Sequence, residues 1–366
     1  MQYSLNEKAL IWLNLFSFLT LDKKHNILSF YENPQDIFSS FKNDYKNFEK
    51  FITKQQFNEM LLALNEEFLD NEILNYNREN ISVLTYLSKD YPQEFLNYEH
   101  YPICLYAIGD LSLLKNFSIA VVGTRKISKY GRFATEKITR ELCQNGVTIV
   151  SGMATGVDTV AHTTCLENNG KTIAVLGSGF HHVFPKSNFE LFKKICQKGL
   201  VITEYNPEVK PLAYNFPVRN RIIALLSKGV LMTEAGLKSG ALYTINYGIE
   251  YGKEIFAVPG NIDSYASQGC NKILKSCQSA IATCGEDILN AFNLNSSYKK
   301  KQKVIQLSFD EQNVINTIDT DELSFDEIQA KTKYDTKILV RLLTTLELSG
   351  IIKKSAGNFY SVIYND

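Results

Sequence analysis

The stretch SIAVVGTRKISKYGRFATEKITRELCQNGVTIVSGMATG, residues 118–156, decides the fold class. It opens on an apolar run, Ser118 to Val122, turns at Gly123, passes through a helical pattern and returns to a second apolar run, Val147 to Val150, which again ends in glycine. A strand with one wet face would alternate apolar and polar residues. Continuous apolar strands joined by helices indicate a parallel sheet covered on both faces. The same text recurs at Thr172 to Leu176, Leu200 to Thr203, Val230 to Thr233, Ile255 to Val258 and Ala280 to Thr283. These runs predict an α/β domain, Rossmann-like and doubly wound around a mostly parallel sheet.

The flanks read differently. The first glycine of the chain is Gly109, and 18 of the 20 glycines lie between it and Gly285. Before that point, apolar residues fall at helical spacing, as in Phe57, Met60, Leu61, Leu64 and Phe68, until Tyr91-Pro92 breaks the pattern. Residues 1–90 are therefore expected to form an all-helical domain and 91–289 the sheet domain. Residues 290–303 (NAFNLNSSYKKKQK) read as a polar linker. In 304–366, Ser324 to Ala330 and Asp335 to Leu348 read as two helices, followed by a β-hairpin turning at Gly357-Asn358. Helices and hairpin in that order predict a winged helix.

The 366 residues carry 39 basic and 39 acidic side chains, a neutral sum that hides a strong partition. Residues 1–108 sum to −6, 109–285 to +8 and 286–366 to −2. The glycine-rich middle is the basic part, and basic charge attracts polyanions. Seven cysteines, an odd number without a C-x-x-C pair, read as free thiols of a cytoplasmic protein. Cys270, Cys277 and Cys284 recur every seven residues, but no histidine lies near them and no metal is expected. The apolar stretch Ala9 to Leu21 contains Asn14, Ser17 and Thr20 and follows Glu7-Lys8, so it reads as a buried helix and not a leader. No run is long enough for a membrane span.

In open parallel sheets, ligands sit beyond the carboxyl ends of the strands, where glycine turns and helix N-termini expose N–H groups. Three turns qualify: Gly123-Thr124-Arg125-Lys126, Ser151-Gly152 to Gly156, and Gly177-Ser178-Gly179. A dinucleotide fingerprint would need glycine where Arg125 stands, and a phosphate loop of the G-x-x-x-x-G-K type is absent, so no cofactor is expected. The first turn carries cations instead, with Lys129 and Arg132 following. A second constellation is Phe216-Pro217-Val218-Arg219-Asn220-Arg221. Its two arginines, two residues apart, point to different sides of a helix, so one can face the strand ends while the other ties down structure. Arginine grips phosphate, Asn220 can bond phosphate or a base edge, and Phe216 can stack on a base, a combination suited to single-stranded nucleic acid.

Catalytic sets are thin. Asp158 and His162 are four apart and read as a buried pair locking a turn, and Glu234 ends a strand without a partnered nucleophile. His181-His182 reads as part of a surface loop.

Together, Gly123-Thr124-Arg125, Ser151-Gly152-x-Ala154-x-Gly156-x-Asp158-x-x-Ala161-His162, Gly177-Ser178-Gly179, Phe216-Pro217-x-Arg219-Asn220-Arg221, Glu234-Ala235-x-x-x-Ser239-Gly240 and Phe256-Ala257-Val258-Pro259-Gly260 resemble the DNA-processing protein A family, also called DprA or Smf. The resemblance runs from about Tyr91 to Leu289. It implies a three-domain protein with a helical, SAM-like N-terminal domain and a C-terminal winged helix. It implies a cytoplasmic, non-enzymatic, dimeric protein that binds single-stranded DNA, protects incoming DNA in natural transformation and loads the RecA recombinase. By motif, Arg125, Lys126, Lys186, Phe216, Arg219, Asn220, Arg221, Ser239 and Gly240 would line the DNA pocket. Gly123, Gly152, Gly177, Ser178 and Gly179 would bring backbone N–H groups to it. The chain departs from the family at Thr124, where serine is commoner, at His181-His182, and at Ile273 to Gln278, where a glycine near the family's dimer surface is lost. The competing class is a Rossmann-like nucleoside-phosphate hydrolase, whose Gly-Gly-x-Gly-Thr turn is replaced here by Glu234 to Gly240.

Overall fold

The computed structural model describes residues 3–294, 307–319, 322–349, 351–355 and 357–362. The chain divides into two compact units, residues 1–298 and 299–366. The first is built on a nine-stranded sheet: β1 (Ser82–Thr85), β2 (Cys104–Gly109), β3 (Ser118–Gly123), β4 (Thr148–Ser151), β5 (Thr172–Val175), β6 (Leu200–Thr203), β7 (Gly229–Glu234), β8 (Glu254–Ala257) and β9 (Ala280–Ile281). Their spatial order is β1-β2-β6-β5-β4-β3-β7-β8-β9. All seven expected strands are present as β3 to β9, and neighbours among them pair in parallel. From β3 the chain winds outward through β4, β5 and β6, then returns to β3's other side with β7. That reversal opens a crevice at the carboxyl ends of the central strands.

Alternation along β3 explains the two-sided cover. Ile119 and Val121 enter one core with Ile138, Leu142 and Ile149. Ala120 and Val122 enter the opposite core with Ile222, Ile223 and Met232. Each fully buried aliphatic side chain contributes about 1.5–3 kcal/mol, so the sheet is held from both faces. The helix Lys129–Gln144 starts where the Ser128 Oγ accepts from Gly131 N at 3.0 Å, and its buried stripe includes Ala134, Ile138 and Leu142.

Two strands escaped the sequence reading. β2 pairs antiparallel with β6, and β1 antiparallel with β2, so a sheet edge is built from chain preceding the glycine-rich region. β1 lies on the N-terminal side of the expected boundary at residue 90. Its four residues are too short to show a period, and only pairing with β2 defines them as strand. The helical segment also shares its core with the sheet. Trp12 and Phe57 belong to the same apolar cluster as Tyr106, Met153 and Val201. The helix Leu5–Leu15 begins in a capping box between Ser4 and Glu7 and buries Ala9 to Asn14, which accounts for its nearly uninterrupted apolar sequence.

The second unit packs the helices Phe309–Ile318, Phe325–Thr332 and Thr336–Leu348 against a small antiparallel sheet ordered β10-β12-β11. Its strands are β10 (Leu323–Ser324), β11 (Ile352–Ser355) and β12 (Phe359–Val362). Val314, Ile328, Leu339, Leu343 and Leu346 form its core. This is a winged helix. Of the expected linker 290–303, residues 295–303 lie outside the described residues, and the helix Gly285–Ala291 extends into its start. Among the described residues no helix is long and apolar enough to cross a membrane.

Candidate nucleic-acid interface

A cleft of about 560 Å³ occupies the crevice at the carboxyl ends of β3, β4 and β7. One wall is the turn after β3, another the start of the helix Asn215–Leu226, and a third the loop after β7 with the helix Ala241–Glu250. Buried carboxylates hold these walls in place. Glu234, at the end of β7, accepts from Ser128 N at 2.8 Å and from Ser128 Oγ at 2.5 Å, while its backbone oxygen accepts from Thr124 N at 2.7 Å. Its carboxylate thus clips the turn after β3 to the neighbouring strand. Asp158 accepts from Gly152 N at 3.1 Å and Ala154 N at 3.2 Å, closing the turn after β4 on itself. Burial lifts the Asp158 carboxyl above the ordinary carboxylate range despite these donors and nearby Arg219. The expected Asp158–His162 bond is not formed; Asp158 is engaged by the two turn amides, and the His162 Nδ1 pairs with Thr172 Oγ1 at 2.7 Å.

Arg219 forms part of the cleft floor and is 4% exposed. Its Nη1 donates to Gly152 O at 2.7 Å and to Val175 O, joining the turns of β4 and β5, and its Nε donates to Asn220 Oδ1 at 3.2 Å. Burial pulls the guanidinium down to about 10, against the attraction of Asp158. Gly152 is required here, since a Cβ would come within 2.6 Å of Arg219 Nη2. Gly156 holds a φ of 81° with its would-be Cβ 2.2 Å from Thr124 O, a position open only to glycine. Arg221 points the other way. It is 3% exposed, does not border the cleft and pairs with Glu204. The expectation that both arginines line one pocket is therefore corrected for Arg221, because residues two apart on a helix face different sides.

The glycine turns also differ from expectation. Their amides are largely spent within the fold: Lys126 N donates to Thr124 Oγ1, Gly152 N to Asp158, and Gly179 N to Val209 O. Gly177, Ser178 and Gly179 do not border the cleft. Ser178 Oγ donates to His182 O at 2.8 Å, and the Phe216 ring packs on Gly177. Backbone dipoles at these positions support the turns, and side chains are left to meet a ligand. Lys186 is exposed, outside the cleft lining, two residues beyond Phe184.

The exposed groups of the cleft are cationic and aromatic. Gly123, Arg125 and Lys126 arrive from β3, and Ser239 and Gly240 from the loop after β7, where Asn220 Nδ2 donates to Gly240 O at 3.2 Å. The Arg125 guanidinium lies 5.8 Å from the Phe216 ring centre, and Phe216 stands 5.6 Å from Phe184. Lys238, Tyr243 and Tyr265 also line the cleft, with Tyr243 53% and Tyr265 62% exposed. Sequence reasoning missed these three. Lys238 was accessible to it, as the cation inside a glycine-bounded loop at a strand's carboxyl end. Tyr265 was not, because nothing local marks an aromatic that folding leaves in solvent. Flat rings beside unpaired cations can stack bases while neutralising phosphates. Among the described residues, no group of three or more His, Cys, Asp or Glu is arranged to hold a metal ion.

Residues 82–293 match the family model described as DNA recombination-mediator protein A, and 299–358 match that of the DprA winged helix domain. The chain is 39% identical to DNA processing protein DprA of Streptococcus pneumoniae over 224 residues, covering 61% of this chain and 79% of the relative. It is 38% identical to protein Smf of Escherichia coli over 284 residues, 74% of this chain and 75% of that protein. The crystal structure of the pneumococcal protein superposes with a TM-score of 0.66 at 33% identity, covering 79% of this chain and 98% of that one. A structure of DNA processing protein A from Helicobacter pylori, described in terms of its single-stranded DNA binding mode, gives a TM-score of 0.53 at 30% identity, covering 58% and 95%.

Proposed function

Because the chain belongs to the DNA recombination-mediator protein A family, we propose that it binds single-stranded DNA in the cleft between β3 and β7, protects strands entering during natural transformation and loads the RecA recombinase onto them. The observation that carries the reading is the grouping of Arg125, Lys126 and Lys238 with Phe216, Tyr243 and Tyr265 at the sheet's reversal point. Bases of a single strand are free to stack on such rings, whereas a duplex keeps its base faces occupied. In this reading Arg125, Lys126, Lys238 and Phe216 contact DNA in the cleft, with Asn220, Ser239 and Gly240 bordering it and Lys186 outside its lining. Arg219 supports the floor. The protein works without catalysis, as a cytoplasmic homodimer.

Binding of single- and double-stranded oligonucleotides at two salt concentrations tests the proposal. A marked preference for single strands that weakens with salt is expected. Equal affinity for both forms, or none at low salt, overturns it.

A further inference from the structure

The helix Lys129–Gln144 buries one side against the sheet, through Ala134, Ile138 and Leu142 among others, and turns the opposite side to solvent. Lys129, Phe133 and Lys137 follow at steps of four along that outer side, and Tyr130 lies three before Phe133, so the four share one face. Phe133 is 62% exposed and Tyr130 47%. Among the described residues neither Lys129 nor Lys137 has an ion-pair partner. The helix's two carboxylates are engaged elsewhere: Glu136 with Arg132 at 3.5 Å, and Glu141 as acceptor from Gly285 N at 2.5 Å. Uncompensated positive charge therefore flanks an exposed ring, and neither burial nor ion pairing accounts for these side chains.

This face is continuous with the cleft. Lys126, in the cleft wall, stands two residues before Ser128, which caps the helix. Tyr130 Oη donates to Pro259 O at 2.6 Å, and a Cβ on Gly260 would touch both the Tyr130 ring and Ser267. Ser267 ends the short turn that begins at Tyr265, another cleft residue. Tyr130 thus stands at the rim of the cleft. From Lys129 to Lys137 the helix rises about 12 Å, the span of about three nucleotides in a stacked strand. We propose that this helix face continues the DNA path: a single strand leaving the cleft past Lys126 and Tyr130 runs along it, with Lys129 and Lys137 meeting phosphates and Phe133 stacking on a base. Unpaired cations select a polyanion, and a ring between them selects one whose base faces are free, which a duplex does not offer. The path rests on the cleft reading, since the cleft supplies the strand.

The test compares labelled oligo-dT of about 4 and about 16 nucleotides by fluorescence anisotropy on the full chain. At about 0.15 M salt, charges more than about 8 Å from the strand are largely screened. Phe133→Ala, and Lys129→Gln combined with Lys137→Gln, should each weaken binding of the long oligomer by about fivefold or more and leave the short one unchanged. The slope of log affinity against log salt should be steeper for the long oligomer by about 1.4, and the paired lysine substitutions should remove that excess. Lys42→Gln, an exposed cation of the N-terminal helical segment, should alter neither length. Thermal melting checks that each variant folds. Helix variants that are silent at both lengths, or that weaken both lengths equally, overturn the proposal. The cleft reading fails by a different sign: Arg125→Ala would then leave the short oligomer unaffected, whereas a failed path leaves Arg125→Ala effective at both lengths.

Discussion

Arg125 and Arg219 carry the same charge and perform different work. Arg125 is exposed and packs on Phe216, so its guanidinium is available to a phosphate. Arg125→Ala is expected to lower single-strand affinity by about 1–3 kcal/mol, the range of a charge-assisted contact, without shifting the melting temperature. Fluorescence anisotropy beside thermal melting checks both halves. Arg219 is buried against the carbonyls of Gly152 and Val175. Its truncation leaves those oxygens and Asp158 facing an empty space, and Arg219→Ala should destabilise the fold by about 3–5 kcal/mol. A folded Arg219→Ala protein of wild-type stability would contradict that assignment.

At the scale of elements, the cleft depends on clips between neighbouring turns. Glu234 joins β7 to the N-terminus of the helix Lys129–Gln144 through Ser128. Glu234→Ala should cost about 1–3 kcal/mol, because two donors lose their acceptor, and should speed amide hydrogen exchange in the first turn of that helix. The attached turn carries Arg125 and Lys126, so DNA affinity should fall too. A second clip is pH-dependent. His181 places Nε2 2.6 Å from Glu79 and Nδ1 2.8 Å from Glu208, an arrangement that requires both nitrogens to be protonated. The hydrogen bonds to Glu79, followed by those to Glu208, raise its pKa above 6.5. The stabilisation is therefore complete below the unfolded-state pKa and is lost as pH rises through the folded-state value. Wild-type stability should decline from pH 6 to pH 9 more than that of His181→Gln, by a small amount since the pair is partly exposed. Parallel profiles in denaturant would exclude this clip.

For the whole molecule, net charge is a poor guide and its distribution a useful one. A neutral chain with a basic middle segment can attract a polyanion to one surface and limit adhesion elsewhere. Three exposed cations in the cleft, Arg125, Lys126 and Lys238, should release about three counterions from a single strand. The slope of log affinity against log salt is then about −2, and Arg125→Ala should reduce its magnitude by about 0.7. A salt titration with oligo-dT measures both. A slope near zero would mean that the cleft cations do not meet phosphates.

By itself the sequence determined the parallel strands, the reversal that makes a doubly wound sheet and the winged helix, because apolar periodicity and glycine turns are local signals. It also located Arg125, Phe216 and the loop ending in Ser239-Gly240. Tertiary structure alone decided that β1 and β2 extend the sheet, since antiparallel pairing with a partner distant in sequence leaves no mark in the local pattern. It decided which cation is free as well. Arg219 and Arg221 look alike in sequence, yet one binds backbone carbonyls and the other Glu204, and only the packing around each guanidinium shows that neither is left exposed. Tyr243 and Tyr265 follow the same rule in reverse, because solvent exposure of an aromatic ring is a property of everything that fails to cover it.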